Sequence, residues 1–362
     1  MKTLISLLLA GAMVFLSCAP ATAATNTLTM TNSTPITSGA TLKNYTWDIA
    51  DGNVKASVLE IDLNDPYVQL EVVPGKGKFT QRATVSNMAN RTDAIAMVNG
   101  DYYNMKAEGA PIGTTVIDGE LVSSQSYLTG VYCLGITSDR TAFVDEFSFS
   151  GSVIAALHGM DYYHQTDNVL FHYSIHESSA NGEKRNLSGL NKTFYWEETT
   201  GLHSHIGRLH LYSDLWGGSK RGMDSYVGTP AEVMVKDNQV TAVAFDGGFD
   251  SAVPEGCYIL HGDGGAADYL RENMKVGDII QINYSYKPEK DWQMVIGGHA
   301  LLVDNGQTVP YTKDLSALGG VRARTAAGIS KDGKTVYIIA VEGRTSESKG
   351  ITLGNLSLLM TK

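Results

Sequence analysis

RARTAAGISKDGKTVYIIAVEGRTSESKGITL, residues Arg322 to Leu353, reads as a strand, a turn, a second strand and the start of a helix. Arg322, Arg324 and Thr325 open the first strand with charge and a hydroxyl. Ala326–Ala327–Gly328–Ile329 carries it on in small apolar residues. Ser330–Lys331–Asp332–Gly333–Lys334 has the Asp-Gly chemistry of a tight turn. Val336 to Val341 is a continuous apolar run, the mark of a buried strand. It ends on Glu342, with Gly343 and Arg344 beside it, so charge gathers where a core strand meets a loop. Ile351 to Met360 reads as the first turns of a helix, and the sequence ends at Lys362. A domain rarely closes on the helix that opens a crossover. One or more final strands are therefore expected downstream, and with them an incomplete sheet with an unpaired edge.

At the other end, Met1–Lys2 supplies a positive start and Leu4 to Leu16 an apolar stretch. Ala21–Thr22–Ala23 is an A-x-A cleavage signal, so residues 1–23 read as a signal peptide. The apolar stretch is shorter than the ~20 residues of a spanning helix. Cys18 offers a lipoprotein acylation site as the alternative. Either route predicts a secreted or cell-surface protein with no transmembrane segment. The 43% hydrophobic fraction is that of a chain with a full core. An excess of 38 acidic over 28 basic residues argues against a nucleic-acid partner. Cys133 and Cys257 are the cysteines of the mature chain. In an exported protein they could pair or stay as buried thiols, and spacing does not decide.

Residues 24–40, rich in Thr, Ser and Asn, read as a flexible leader, with one strand as the alternative. From Thr41 strand signals begin. Lys55 to Leu63 and Val68 to Val73 alternate, with Asn64–Asp65–Pro66 as the turn between them. Thr84 to Arg91 has helical spacing. Ala94 to Val98 is a continuous apolar run and reads as a buried central strand. Ile117 to Val122 reads as a hairpin. From about residue 147 to 295 an inserted, strand-rich region is expected. It holds His158, His164, His172, His176, His203, His205 and His210, then strands at Ala231–Val235, Val240–Phe245, Cys257–Leu260 and Asp278–Ile282. A short helix is expected at Ala266–Met274 and a strand with a glycine break at Ile296–Val303. The fold class is mixed, α/β or α+β, rich in strands and sparse in helices. Residues 41–362 form the main domain.

Five constellations carry candidate chemistry. Asn99–Gly100–Asp101–Tyr102–Tyr103–Asn104 follows an apolar run. Its Asn and Asp side chains suit sugar hydroxyls and its tyrosines a pyranose face, but taken alone a plain turn is the simpler account. Arg322 and Arg324 share a strand face and suit a phosphate. The bland alternative is a surface ion-pair strand. Glu342 at a strand end suits general acid or base work, against an ion pair with Arg344. The histidines tempt a metal reading, but no ligand spacing such as H-E-x-x-H appears, and solvated imidazoles are the simpler account. Gly262 to Gly265 before a helix suits an anion but lacks the P-loop lysine. Gly-x-Ser-x-Gly is absent, which argues against a serine hydrolase.

Taken in order, these pieces carry more than any one alone. NGDYYN, APIGTTVIDGELV, EVMVKDNQVTAV, GCYILHGDGGAADYL, IGGHALLVDNG and then RARTAAGI…VEGRTSESKGITL form a succession that resembles the phosphodiester glycosidase family. The resemblance runs from about Ala94 to the last residue, with a gap over the histidine-rich segment. It implies a mixed α/β domain that hydrolyses a sugar–phosphate diester on the sugar side and leaves a phosphomonoester. It further implies that Asn99, Asp101 and Asn104 orient sugar or water, and that Gly297, Gly298 and His299 line the cleft. Arg324 and Thr325 would hold the phosphate. Glu342, Gly343 and Arg344 match an acidic-Gly-Arg motif, and Ser348, Gly350 and Thr352 the loop that opens the next helix. Glu342 and Asp101 are the candidate catalytic carboxylates. A glycine-rich Asp-Gly-Gly strand of the family has no counterpart before Lys362, which puts the activity of this chain in doubt.

The reading is thus a secreted phosphodiester glycosidase acting on cell-wall or extracellular glycans. The alternative is an inactive or non-catalytic glycan-binding protein on the same scaffold, with Trp196, Trp216 and Trp292 as stacking platforms or as core. No cofactor is expected, and a divalent metal is left open. The expected partner is a glycan or sugar phosphate. The oligomeric state is not legible.

Overall fold

The computed structural model describes residues 26–105, 107–125, 128–155, 182–197, 202–222, 228–312 and 318–362. Residues 1–25, which include the stretch read as a signal peptide, and His158, His164, His172 and His176 lie outside them. The chain opens with a three-strand meander: β1 (Leu28–Thr37), β2 (Ala40–Ile49) and β3 (Gly52–Asp62). The short helix α1 (Val85–Ala89) follows, capped by the Thr84 side chain, which accepts from Asn87 N at 3.2 Å. Next come β4 (Thr115–Ile117), β5 (Glu120–Ser123), β6 (Tyr132–Thr137) and β7 (Ala142–Glu146). After them run β8 (Ser148–Ile154), β9 (Lys184–Leu190), β10 (Trp196–Glu197), β11 (Leu202–His203) and β12 (Leu209–Ser213). The chain continues through β13 (Ala231–Lys236), β14 (Gln239–Ala244), β15 (Tyr258–Gly262), α2 (Gly265–Asn273), β16 (Gln281–Lys287) and β17 (Trp292–Gly297). It closes with β18 (Val303–Asp304), β19 (Gln307–Thr308), β20 (Arg324–Ile329), β21 (Thr335–Val341) and α3 (Leu353–Thr361).

Three sheets carry the molecule. The first has the order β1-β2-β3-β21-β20, joining the N-terminal meander to the C-terminal hairpin. The second, β5-β4-β17-β6-β7, is also antiparallel. The third, β14-β13-β15-β12-β9-β8-β16, is drawn entirely from residues 148–287 and holds a parallel pair, β9 with β12. The class is therefore mostly β.

Side-chain alternation explains the layering. On β21, Ile339 and Val341 face α3, packing with Leu356 and Leu359. Val336 and Ile338 face the second sheet, packing with Leu134, Ile136 and Met294. Burial on both faces is why this strand is apolar at nearly every position. Each such side chain removed from water is worth ~1.5–3 kcal/mol. The far side of the second sheet, through Cys133, Trp292 and Val295, joins the third in one core.

Several local expectations need correction. Residues 28–37 form a strand paired along β2, not a flexible leader. Val68 to Val73 has no ladder, although Val68, Leu70 and Val72 do turn toward the core while Gln69 and Glu71 face water. Ala94 to Val98 is neither a strand nor buried, and Ile95 is 73% exposed. An apolar run becomes a central strand only where neighbours pair on both sides, and here none does among the described residues. Trp216 and Trp292 are core residues, 0% and 2% exposed, so they offer no platform. Beyond β10, the side chain of Trp196 lies outside the description.

Candidate active site

Asp101 sits in the turn that follows the exposed apolar run. Its backbone has a φ of 57°, a conformation that a short polar side chain tolerates. Ile112 N donates to Tyr102 O at 2.9 Å, and Tyr103 and Pro111 form a bridge, so residues 102 and 112 are held side by side. This closure aims Gly113 N at the Asp101 carboxyl, 3.0 Å from Oδ2 and 3.3 Å from Oδ1. Tyr102 N also donates to Oδ1. The opposite wall is Gly297, at the end of β17. A Cβ there would lie 2.3 Å from Asp101 Oδ2, and a Cβ at Gly113 would lie 2.4 Å from Gly297 Cα. Two glycines thus make the slot the carboxyl occupies. Burial raises its pKa from 3.8 to about 7, against the opposing pull of the Tyr102, Gly113 and Ile112 amides. A carboxyl with that pKa exchanges protons at neutral pH.

The rest of the group assembles around this turn. Thr325 Oγ1 donates to Asn99 Oδ1 at 3.2 Å, joining the turn to the edge strand β20 across 226 positions of sequence. Beyond β17, Gly298 N donates to Tyr132 O at 3.0 Å and Tyr132 N to His299 O at 2.8 Å. His299 meets the Tyr102 ring edge-on, with centroids 5.1 Å apart. Burial raises the Tyr102 phenol pKa, and the nearby Arg324 charge pulls it back. Arg324 therefore lies beside the turn. Its Nη2, however, donates to the Leu318 and Gly320 carbonyls, the latter at 3.0 Å, and its Nε to Ile351 O at 3.4 Å. The guanidinium fork is largely engaged in holding the loop that leads into β20.

The other predicted residues divide between frame and surface. Ser348 is fully buried; its Oγ donates to Glu342 O at 2.8 Å and accepts from Lys55 N at 3.0 Å. Gly343 and Gly350 lie against the backbone of Arg322 and Ala323, where a Cβ on either would come within 2.4 Å. Thr352 caps α3 by accepting from Asn355 N at 3.2 Å. Asn104 Nδ2 reaches Phe194 O at 3.0 Å. Glu342 and Arg344 are exposed. No hydrogen bond or ion pair among the described residues joins Glu342 to the Asp101 group.

Sequence reading missed Gly113 as a wall of the slot and Cys133 as a neighbour. The Cys133 thiol is 3.8 Å from Gln125 Oε1, and burial, with the Asp101 charge adding, pushes its pKa up to about 12. It is an inert thiol, and Cys133 and Cys257 are both free and buried. Nor are all of the histidines simply solvated. His205 and His210 are 0% exposed and stack with centroids 3.9 Å apart. Among the described residues, no three His, Cys, Asp or Glu side chains converge as metal ligands.

Comparison with known proteins finds likeness of fold over most of the chain and a family match over part of it. No curated protein matches. A crystal structure of a hypothetical protein from Synechocystis superposes with a TM-score of 0.68 at 16% identity, covering 92% of this chain and 56% of that one. A Burkholderia pseudomallei K96243 protein, provisionally named as exported, gives a TM-score of 0.63 at 19% identity, covering 85% of this chain and 65% of its own. At such identities the likeness is one of fold. The chain spans less than two thirds of either structure's length. Asn99 and Asp101 lie outside residues 238–362, a stretch matched by a known family, but are tied to it through Thr325 and Gly297. Over that stretch, residues 238–362, the chain matches the phosphodiester glycosidase family, the one its motif order resembled.

Proposed function

We propose that this chain is an exported phosphodiester glycosidase that hydrolyses a sugar-1-phosphate diester on the sugar side, acting on cell-wall or extracellular glycans. The observation that carries the reading is the Asp101 carboxyl, enclosed against Gly297 of the family-matched stretch and ionising near neutrality.

The chemistry follows from the leaving group. A phosphomonoester departs as a stable anion, so little acid is needed, and activation of water is the harder task. The ionised form of Asp101 takes a proton from water as the water oxygen bonds to the anomeric carbon. The bond from that carbon to the bridging oxygen breaks, and its electron pair stays on the phosphate. Positive charge builds on the sugar ring in passing, which a nearby carboxylate stabilises. Asn99 and Thr325 flank the turn and suit sugar hydroxyls. Arg324 supplies positive potential beside Tyr102, while its engaged donors argue against a full bidentate phosphate clamp. Glu342, on the exposed strand end, is the second carboxylate of the proposal.

The test is hydrolysis of a hexose 1-phosphate methyl diester in ¹⁸O-water. Methyl phosphate should appear unlabelled, with the heavy oxygen on the sugar. Asp101→Asn should lower turnover by ~10²–10⁴-fold. Label in the phosphate, or unchanged turnover in that variant, would sink the assignment.

A further inference from the structure

We propose that the cleft between β5, β12, β15 and β16 is a second carbohydrate site that takes one uncharged pyranose ring. It shares no residue with the Asp101 group, so it stands or falls independently of the function proposed above. Its volume is about 140 Å³. Leu121, Val122 and Leu190 make a buried apolar floor. Tyr258 and Tyr284 form the aromatic walls, and Glu120 and Asp214 stand at the sides.

The chemistry of these groups selects the ligand. Tyr284 is 36% exposed, yet its ring is held: Phe149 stacks on it with centroids 5.9 Å apart and an interplanar angle of 27°. Phe149 thus holds the ring in place, and the exposed part of the ring lines the cleft. A pyranose has an apolar face of C–H groups that suits such a ring, and a rim of hydroxyls that suits polar atoms placed around it. Those atoms are present. Neither phenol hydroxyl is hydrogen-bonded to another described residue, and the exposed Glu120 carboxylate has no described partner. Asp214 is already paired with Lys78 at 2.9 Å, which leaves it a neutralised acceptor.

Charge sets the class further. Burial raises the Tyr258 phenol pKa, and the Glu120 and Asp214 carboxylates raise it again. A phosphate placed there would face the unpaired Glu120 carboxylate beside the neutralised Asp214–Lys78 pair, so the cleft takes a sugar unit that carries no phosphate. A quaternary ammonium is the competing fit, because it also favours aromatic rings and carboxylates. Two features favour the sugar: the apolar floor, which leaves a cation poorly solvated, and the two free hydroxyls, which a quaternary ammonium cannot use.

Saturation-transfer NMR on the full chain tests this, with the methyl glycosides of glucose, mannose, galactose and N-acetylglucosamine as probes. Tetramethylammonium and glucose 1-phosphate serve as the contrasting ligands. At least one methyl glycoside should receive saturation through its ring protons and bind at least about tenfold more weakly to Tyr284→Ala and to Glu120→Gln. Hydrolysis of the small diester should be unchanged in both variants, with an unchanged circular-dichroism spectrum as the check on folding. Tyr258→Phe, which keeps the wall, should lose only part of the binding. Binding by no methyl glycoside, binding that survives both Tyr284→Ala and Glu120→Gln, or stronger binding of tetramethylammonium or glucose 1-phosphate would each overturn the proposal.

Discussion

Asp101 is placed where ionising it is unfavourable, and that makes its role separable from its effect on stability. Its pKa rises from 3.8 to about 7 because burial disfavours the carboxylate more than the amides around it compensate. The folded chain therefore binds this proton more tightly than the unfolded chain. The associated stability is complete below pH 3.8 and is lost as pH rises through about 7. Asp101→Asn has no such loss. It should match the parent near pH 4 and exceed it at pH 8 by on the order of 2–4 kcal/mol, while turnover falls. Urea unfolding at the two pH values reads this directly, and equal stability at pH 8 would mean the carboxyl is better solvated than its enclosure indicates. Gly297→Ala probes the slot itself, since the new Cβ would overlap Asp101 Oδ2. The carboxyl must move, so turnover should fall about as far as in Asp101→Asn, with a stability loss of ~1–3 kcal/mol. The sequence showed Asp101 and Gly297 as members of two separate motifs, one for a carboxylate and one for the cleft lining, with no contact between them. That one is the space for the other depends on how the second sheet brings residues 101 and 297 together, and no spacing rule encodes it.

At the scale of elements, the hairpin of β20 and β21 was legible because its turn chemistry and apolar run pointed the same way. The loop after it was legible as a motif but not as a mechanism. Its serine and glycines hold the chain against β3 and against Arg322–Ala323. Ser348→Ala would leave Lys55 N without its partner in a buried place, at a cost of ~1–3 kcal/mol. Chemical denaturation should show that loss. If Ser348 instead touched substrate, KM would rise with stability intact. The misread segments share one cause. Alternation at Val68–Val73 reported which side chains face inward, and it did so correctly, but a ladder also needs a neighbouring backbone. Ala94–Val98 was apolar enough for a core strand, yet composition carries no information on what lies beside it. His205 and His210 looked solvated because polar neighbours in sequence hide the packing that buries them, a stack of the two rings with His205 also bonded to Ser204 and Tyr212.

Across the whole molecule, a separate charged network lies inside the third sheet and the loops around it. Arg221, with a fully buried side chain, grips Glu232 with Nε at 2.7 Å and Nη2 at 2.8 Å. His261 Nδ1 lies 2.9 Å from Glu232 Oε1, and its Nε2 lies 3.2 Å from Asp263 Oδ2. Phe249 N donates to Glu232 Oε2 at 2.8 Å, so the network fastens the loop after β14 to β13. An imidazole flanked by two carboxylates carries both protons. Burial works against that charge, but the bonds to Asp263 and Glu232 outweigh it, and the pKa rises to about 9. The folded chain thus keeps a proton that an unfolded histidine would release near 6.5. The stability this gives is complete below pH 6.5 and lost as pH rises through about 9, on the order of 2–3 kcal/mol. Glu232→Gln removes the acceptor from two buried cations at once and should cost ~3–5 kcal/mol at pH 7. It should also flatten the fall in stability between pH 7 and 9.5, because His261 then holds its proton less tightly. Other groups titrate in that range, so the informative quantity is the difference between parent and variant. If the two lose stability in parallel, His261 is neutral in the folded chain and the network is held by the Arg221–Glu232 pair alone.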